Sequence, residues 1–343
     1  MLEILLRDKN IVGNFRKPYI IAEVNSSHNG SIETAKEMIK KVKDAGCDCV
    51  KFQSWSAETL YSKTYYDKNP ISKRIVDKFA ISDDHMIELA KYSKEIGISF
   101  ASTPYSKAEV DVLVDKIHVP FIKIASMEIN NYGYLTYIAK KGIPVILSTG
   151  MSDMDEIRKA VKAIEEAGNK QIVILHCVSV YPASPEIINL NNITTLQKEF
   201  PNYAIGYSDH TLGTEVASAS IALGSAVIEK HFTLDKSKMG LDNNMAIEPS
   251  EMKALVNQCH NVYNAMGSKE RIVSDLEKTQ RLNMRRSIIA LRDMKQGEII
   301  KESDVDFKRP GNGIAPEFLP KIIGKKLVND IEADCLIFEN DIK

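Results

Sequence analysis

Residues 203–211 read YAIGYSDHT and residues 225–233 read SAVIEKHFT. Each begins as an apolar, β-branched run and ends in charged, hydroxyl and imidazole groups. A buried strand has no reason to finish this way unless something polar binds at its end. Six further runs share the texture: 18–23 (PYIIAE), 47–53 (CDCVKFQ), 98–103 (ISFAST), 120–126 (PFIKIAS), 143–148 (IPVILS) and 171–177 (QIVILHC). Helical patterns follow them at 31–46, 83–97, 106–117, 132–141, 153–167, 189–199, 213–223 and 249–266. Eight β-α repeats of this length predict parallel βαβ units closed into a (β/α)8 barrel, rather than an open doubly wound sheet. A barrel brings all eight polar strand ends to one rim, where such folds place their chemistry. Ser106–Glu109 and Ser152–Asp155 read as capping boxes at helix starts.

The regular pattern stops near Gly267. Residues 268–284 are polar and helix-prone and read as a linker, with a further capping box at Ser274–Glu277. From Arg285 to 343 the texture becomes short β-like runs with Gly and Pro turns, a small domain with little surface to bury by itself. The connection from Ser54 to Ile81, with Tyr61, Tyr65 and Tyr66, is long enough for a lid, or is a variable surface insertion.

The 343 residues carry a net charge of -1, so no global basic field draws nucleic acid or an anionic membrane surface. No apolar run approaches the ~20 residues of a membrane span, and the N-terminal MLEILLRDKN lacks a signal-peptide core. Five scattered cysteines read as reduced thiols of a cytoplasmic chain. An anionic substrate would therefore need a local constellation of cations.

Such a constellation is legible. His210 and His231 end the last two runs and would be neighbours at the rim. Two converging imidazoles without cysteine suggest an open divalent site, with remaining positions for water, carboxylate or substrate. Lys51 lies between Val50 and Phe52, and Lys123 between Ile122 and Ile124. Ammonium groups there would face a bound carboxylate or phosphate, form a Schiff base, or simply pair with Glu23 or Glu229. Thr103, Ser126, Ser148, Ser179 and Ser208 offer neutral donors beside them. Glu23 and Glu128 are candidates to hold hydroxyls or move a proton. Lys230, adjacent to His231, should face away from the interior. His28 reads equally as a structural loop histidine, His176 as packing, and His85, His118 and His260 as surface.

In this order the motifs resemble the sialic acid (nonulosonic acid) synthase family over nearly the whole chain. They are Ile21-Ala22-Glu23 with His28-Asn29-Gly30, Val50-Lys51-Phe52-Gln53, Ser102-Thr103-Pro104, and Lys123-Ile124-Ala125-Ser126 with Glu128. Ser148-Thr149-Gly150-Met151, His176-Cys177 with Tyr181-Pro182, Gly206–His210, Glu229–Thr233 and Lys308–Gly313 complete the set. The tail resembles the family's antifreeze-like (SAF) domain. The resemblance implies metal-dependent condensation of phosphoenolpyruvate (PEP) with an acetamido hexose such as N-acetylmannosamine, giving a nine-carbon 2-keto sugar acid and phosphate. It implies His210 and His231 as ligands of manganese (or magnesium or cobalt). Lys51, Thr103, Lys123, Ser126, Ser148, Ser179 and Ser208 would hold PEP. Glu23, Gln53, Glu128, Tyr181 and Asp242 would serve the acceptor and metal-bound water. It also implies a homodimer in which Arg309 of one small domain reaches the partner's site.

Two stretches depart from the family's pattern. Where many members carry Gly-Pro-Asp-His, this chain reads Met239-Gly240-Leu241-Asp242-Asn243-Asn244-Met245-Ala246, and the first loop reads Val24-Asn25-Ser26-Ser27-His28. Both lie where the sugar should sit, which brings in the diacetamido sugars of legionaminic or pseudaminic pathways. Two rivals remain: a Schiff-base aldolase or lyase acting through Lys123, and a non-catalytic sugar-binding protein on the same scaffold.

Overall fold

A computed structural model describes residues 3–238 and 240–343. Met1, Leu2 and Met239, the first residue of the loop run above, lie outside the described residues. The chain divides into two compact units, Met1–Gly267 and Ser268–Lys343.

The first unit opens with an antiparallel hairpin that the sequence reading did not anticipate, β1 (Glu3–Leu5) and β2 (Ile11–Gly13). Eight parallel strands follow: β3 (Tyr19–Glu23), β4 (Cys49–Ser54), β5 (Ser99–Pro104), β6 (Ile122–Ile124), β7 (Val145–Ser148), β8 (Ile172–Cys177), β9 (Ala204–Asp209) and β10 (Val227–His231). Their order is β5-β4-β3-β10-β9-β8-β7-β6, with β5 and β6 side by side at the seam, so the sheet curls into the expected barrel. The predicted helices form around it, from Ile32–Ala45 to Pro249–Met266. Their ends follow local chemistry. Ser31 and Ser82 accept backbone N–H groups at N-termini, and Gly46 and Gly97 turn left-handed at C-termini with φ of 90° and 77°. The cap predicted at Ser152 falls one residue later, where Asp153 and Glu156 bond reciprocally.

Side chains alternate across each strand, and this sets two cores. Ile20, Ala22, Val50, Phe52, Ile122, Ile124, Ile205, Tyr207 and Ile228 point outward into the helix layer. Tyr19, Ile21, Cys49, Ala101, Phe121, Ile146, Val173 and Leu175 fill the barrel interior. Ile4, Leu6 and Val12 of the hairpin belong to that inner cluster, so the hairpin plugs the end of the barrel where the strands begin. Short strand-like pieces with few apolar residues give no periodicity to count, which is why the hairpin escapes a reading by pattern.

The Ser54–Ile81 connection is not an irregular loop. It contains helices at Ala57–Leu60, Lys63–Lys68 and Pro70–Phe79. They close over a small core of Trp55, Ala57, Tyr66, Val76 and Phe79.

In the second unit, β11 (Ser287–Ala290) pairs antiparallel with β12 (Val305–Lys308) around Ile288, Met294, Ile300, Ile314 and Ile337. Residues 268–284, expected as a linker, group with this unit and form a helix at Asp275–Met284, capped by Ser274 as the sequence suggests. Gly311 donates its N–H to the Leu282 carbonyl at 2.7 Å, and a Cβ there would lie 2.7 Å from the Arg281 carbonyl oxygen. The glycine is what lets the Arg309–Gly313 turn meet the end of that helix.

The plug is testable. Leu6→Ala leaves a cavity against the barrel interior and is expected to lower stability by about 2–5 kcal/mol in urea denaturation. An unchanged midpoint would mean that the hairpin does not seal the core.

Candidate active site

The same alternation that builds the cores turns specific polar groups inward at the strands' C-terminal ends. Since Val50 and Phe52 face out, Lys51 and Gln53 face in. Since Ile122 and Ile124 face out, so must Lys123 face in. On β10, Ile228 and Lys230 lie outside, and Glu229 and His231 inside. These groups meet in a cavity of about 240 Å³ lined also by Thr103, Ser126, Ser148, Ser179, Tyr181, Ser208, His210 and Asp242. A wider groove of about 800 Å³ lies at the opposite ends of the strands and contains none of the candidate residues.

The floor is a cluster of buried charges. Lys51 pairs with Glu23, and its Nζ lies 3.6 Å from Glu229 Oε2. Lys123 Nζ lies 3.8 Å from Glu229 Oε1. Thr103 accepts from Lys51 at 2.9 Å, and Ser148 accepts from Lys123 at 2.6 Å. Burial pulls the Lys51 ammonium down to about 8, against the pull of Glu229. Burial alone would raise the Glu229 carboxyl, but Lys123 and Lys51 outweigh it and hold it below the usual range. Glu229 Oε1 also accepts from Ser208 at 2.9 Å, whereas Oε2 receives no hydrogen bond among the described residues. The sequence reading weighed Glu229 only as a salt-bridge partner. Its place between both lysines makes it part of the site, a relation that strand parity could have supplied.

Beside the lysines is a cradle of hydroxyls. Gly150 N–H donates to Ser126 Oγ at 3.0 Å. A Cβ on Gly150 would lie 2.1 Å from Ser179 Oγ and 2.9 Å from Ser126 Oγ, so only glycine leaves room for both serines. Two ammonium groups, several hydroxyl donors and an open backbone approach suit an anion bearing a carboxylate and a phosphate.

On the other wall stand the imidazoles, with ring centroids 5.3 Å apart. His210 Nδ1 lies 2.7 Å from the Val178 carbonyl, which fixes the proton there and leaves Nε2 as a free lone pair. Burial, then the neighbouring His210 and the lysines, hold His231 well below the ordinary range, in the neutral form that ligates metals. Asp242 Oδ2 lies 3.7 Å from His231 Nδ1. Among the described residues no group of three or more His, Cys, Asp or Glu side chains is placed to hold a metal ion. His210 and His231, with Asp242 beside them, are the side chains here whose chemistry could hold a divalent ion, leaving positions for water and substrate.

The loops after β3 and β10 bond to each other beside the cavity, which Asp242 lines. The Asn25 amide donates to Asp242 Oδ2, Ser27 Oγ donates to Asn243 Oδ1 at 2.5 Å, and Leu241 N–H donates to Ser26 Oγ at 3.4 Å. The two stretches that depart from the family's pattern are therefore one bonded unit.

Two of the candidate residues are not brought into the cavity. Glu128 sits half-buried in the turn after β6, accepts from Asn131 at 2.9 Å and is not among the lining groups. Glu128 stands an odd five residues from the inward Lys123, so strand parity would not turn it inward, and the 3-10 turn at Ser126–Glu128 takes it out of the strand. Arg309 lies exposed in the second unit. His28 is structural: it is buried, accepts from Gly30 N–H at 3.0 Å, and burial lowers it to about 4. His176 packs against Tyr207 with Nε2 2.7 Å from the Ile188 carbonyl. His85 and His118 are exposed, as expected, whereas His260 is half-buried. Tyr105 and Cys177, which carried no assignment in the sequence reading, also line the cavity.

Outside the barrel, Lys230 meets Asp209 Oδ2 at 2.7 Å and donates to the Thr211 carbonyl. Asp209 Oδ1 accepts from Tyr207 OH at 2.9 Å, Thr211 N–H at 3.0 Å and Thr211 Oγ1 at 2.9 Å. This network holds the backbone on both sides of His210.

The NeuB family model matches residues 38–271, and the SAF domain model matches residues 285–343. An uncharacterized protein of Methanocaldococcus jannaschii is 43% identical over 333 residues, covering 96% of each chain. An N,N'-diacetyllegionaminic acid synthase of Legionella pneumophila is 39% identical over 328 residues, covering 92% of each chain. The crystal structure of an N-acetylneuraminic acid synthetase from Leptospira borgpetersenii superposes with a TM-score of 0.74 at 30% identity, covering 81% of this chain and 94% of that one.

Removing one partner of a buried pair leaves the other uncompensated. Lys230→Met is expected to lower stability by about 3–5 kcal/mol in urea denaturation. A loss below about 1 kcal/mol would show that the Asp209 network stands without its cation.

Proposed function

This chain belongs to the NeuB family, and on that premise we propose that it is a nonulosonic acid synthase, condensing PEP with an acetamido hexose to give a nine-carbon 2-keto sugar acid and phosphate. The observation that carries the reading is the pair of buried ammonium groups, Lys51 and Lys123, set beside a hydroxyl cradle and the His210–His231 pair in one cavity.

Lys51 and Lys123 offer two cationic positions for the two anionic ends of PEP. Ser126, Ser148, Ser179 and Thr103 add hydrogen bonds that fix the enol and expose its methylene carbon to the acceptor. That carbon attacks the aldehyde carbon of the open-chain sugar, forming the new C–C bond and leaving cationic character at C2. Glu229, between the lysines, is placed to offset that charge electrostatically. Water then adds at C2, and the tetrahedral centre expels phosphate. Glu23 lies at the cavity wall and is available to hold an acceptor hydroxyl or take a proton. His210 and His231 would hold a divalent ion, with manganese the first choice, whose contribution when bound is Lewis-acid polarisation of the aldehyde oxygen. The Tyr181 ring is tilted by 41° against that of His210 with centroids 4.3 Å apart, where it would border the sugar.

For the acceptor, the relative named a legionaminic acid synthase favours a 2,4-diacetamido hexose over N-acetylmannosamine. Asp242 lines the cavity and is carried by the bonded Asn25–Ser27 and Leu241–Asn243 loops, which supports these loops as the place where such a difference would be read. The proposal extends to a homodimer in which Arg309 reaches the partner's cavity. In its support, Arg309 is exposed and has no carboxylate partner among the described residues; its polar contact there is with Met284 Sδ at 3.8 Å. The lyase rival has less support, since Lys123 donates to Ser148 and lies 3.8 Å from Glu229 Oε1, engaged on both sides.

The reading is tested by phosphate release from PEP with manganese, across N-acetylmannosamine and the 2,4- and 4,6-diacetamido hexoses. Release with one sugar, abolished by EDTA and by His231→Ala, is expected. No release with any sugar would overturn the reading. Release that survives EDTA would overturn the metal assignment.

Arg309→Ala is expected to raise the sugar KM at least tenfold while sedimentation still reports a dimer. An unchanged sugar KM and kcat would remove the cross-subunit role.

The Lys51 ammonium supplies a positive charge that is lost as pH rises through about 8. Therefore kcat/KM for PEP, which reports the free enzyme, is expected to fall on the alkaline side of about pH 8. A profile flat to pH 10 would show that Lys51 stays charged or plays no part.

A further inference from the structure

Gln53 is held at the cavity wall by three neighbours. Its Oε1 faces the Trp55 indole Nε1 at 3.1 Å and the Tyr105 hydroxyl at 3.3 Å, and its Nε2 lies 3.4 Å from Glu23 Oε1. An indole N–H can only donate. The Gln53 atom facing it must therefore be the oxygen, and the amide cannot rotate by half a turn without setting N–H against N–H. Its nitrogen is committed to the side of Glu23 and the cavity. Trp55 lies two residues beyond Gln53, just past the end of β4, and is 5% exposed. It packs with Ala57, Tyr66, Val76 and Phe79 of the helical insert, and Tyr105 packs against the same cluster.

We infer that Trp55 and Tyr105 are positioning residues for the acceptor: they lock the Gln53 amide with its NH2 toward Glu23 and the cavity, and they tie that setting to the Ala57–Phe79 insert. The inference rests on the synthase reading. It adds that the wall selects an acceptor presenting an oxygen, from a hydroxyl or an acetamido carbonyl, opposite Gln53. It also gives the insert a function, since its core holds the tryptophan whose N–H decides which way the amide points.

The test is Trp55→Phe, Tyr105→Phe and the double variant, each also in a Gln53→Ala background. Phenylalanine keeps an aromatic ring in the insert's core: Tyr105→Phe removes only the hydroxyl, and Trp55→Phe removes the indole N–H together with part of the ring volume. With two donors gone, only the 3.4 Å contact with Glu23 still favours this setting of the amide. The sugar KM is expected to rise about tenfold in the double variant, the scale set by two neutral hydrogen bonds. PEP KM should stay near wild type and kcat within about twofold of it, while Trp55→Phe lowers the melting temperature through the volume it removes from the insert's core. In the Gln53→Ala background the same changes should add nothing to the sugar KM, because Trp55 and Tyr105 act through that amide.

An unchanged sugar KM in the folded double variant overturns the inference. So does an equal rise in the Gln53→Ala background, which would mean direct contact or packing. Wild-type turnover accompanied by either result leaves the synthase reading intact. Wild-type protein inert with every sugar in the panel would instead remove that reading, and this inference with it.

Discussion

Two ammonium groups are buried where the strands of a closed barrel end, and they must be balanced there. A lone buried charge is strongly disfavoured, and a buried pair persists only where geometry and further hydrogen bonds offset desolvation. Glu229 answers this by lying between Lys51 and Lys123, with Ser208 on its near oxygen. Glu23 takes the other side of Lys51, and Asn25 N–H and Gln53 then settle around Glu23. Thr103 and Ser148 occupy remaining ammonium protons. The mouth is thus a paired network, with Glu229 Oε2 left without a hydrogen bond among the described residues, that an anionic substrate can enter by exchange for hydrogen bonds already made. The hairpin plug at the far end completes the enclosure, so the interior beneath these charges is apolar.

That constraint reaches outward through the loops. Ser126 and Ser179 share the space over Gly150 because that residue has no Cβ. Asp242 is steered by Asn25, and Asn243 by Ser27, so the loop after β10 depends on the loop after β3. Strands β3 and β10 are neighbours in the sheet, which makes this bonding short-range in space though it joins residues far apart in sequence.

Much of this was legible because period two survives in buried strands. A lysine between two outward aliphatics has one direction to face, and the eight strands and the inward Lys51, Lys123, His210 and His231 follow from that rule. The rule stops where the backbone leaves the strand. Glu128 lies in a 3-10 turn, so its sequence distance from Lys123 did not carry it into the cavity. The helical insert was hidden for a different reason. Its helices are short, and their apolar residues answer to a private core around Trp55 and not to the barrel. The hairpin has three residues per strand and borrows its burial from the barrel floor. The relation of Glu229 to both lysines follows from parity within the expected closed barrel, whose curvature brings β4 and β6 near β10.

Residues 229–231 show why charge at a strand end is not in itself a mark of chemistry. Glu229 and His231 face the cavity, while Lys230, equally buried and equally charged, faces the helices and binds Asp209. The outer pair braces the strand and the turn beyond β9, and the inner pair meets substrate in the proposed reaction. Adjacent positions therefore divide positioning from reaction by parity alone. A one-residue slip of β10 would exchange the two sets, putting an ammonium beside His210 and stranding a carboxylate against Asp209. Register is then under two penalties at once, an unpaired charge on each face, and that double penalty is what fixes His231 opposite Glu23.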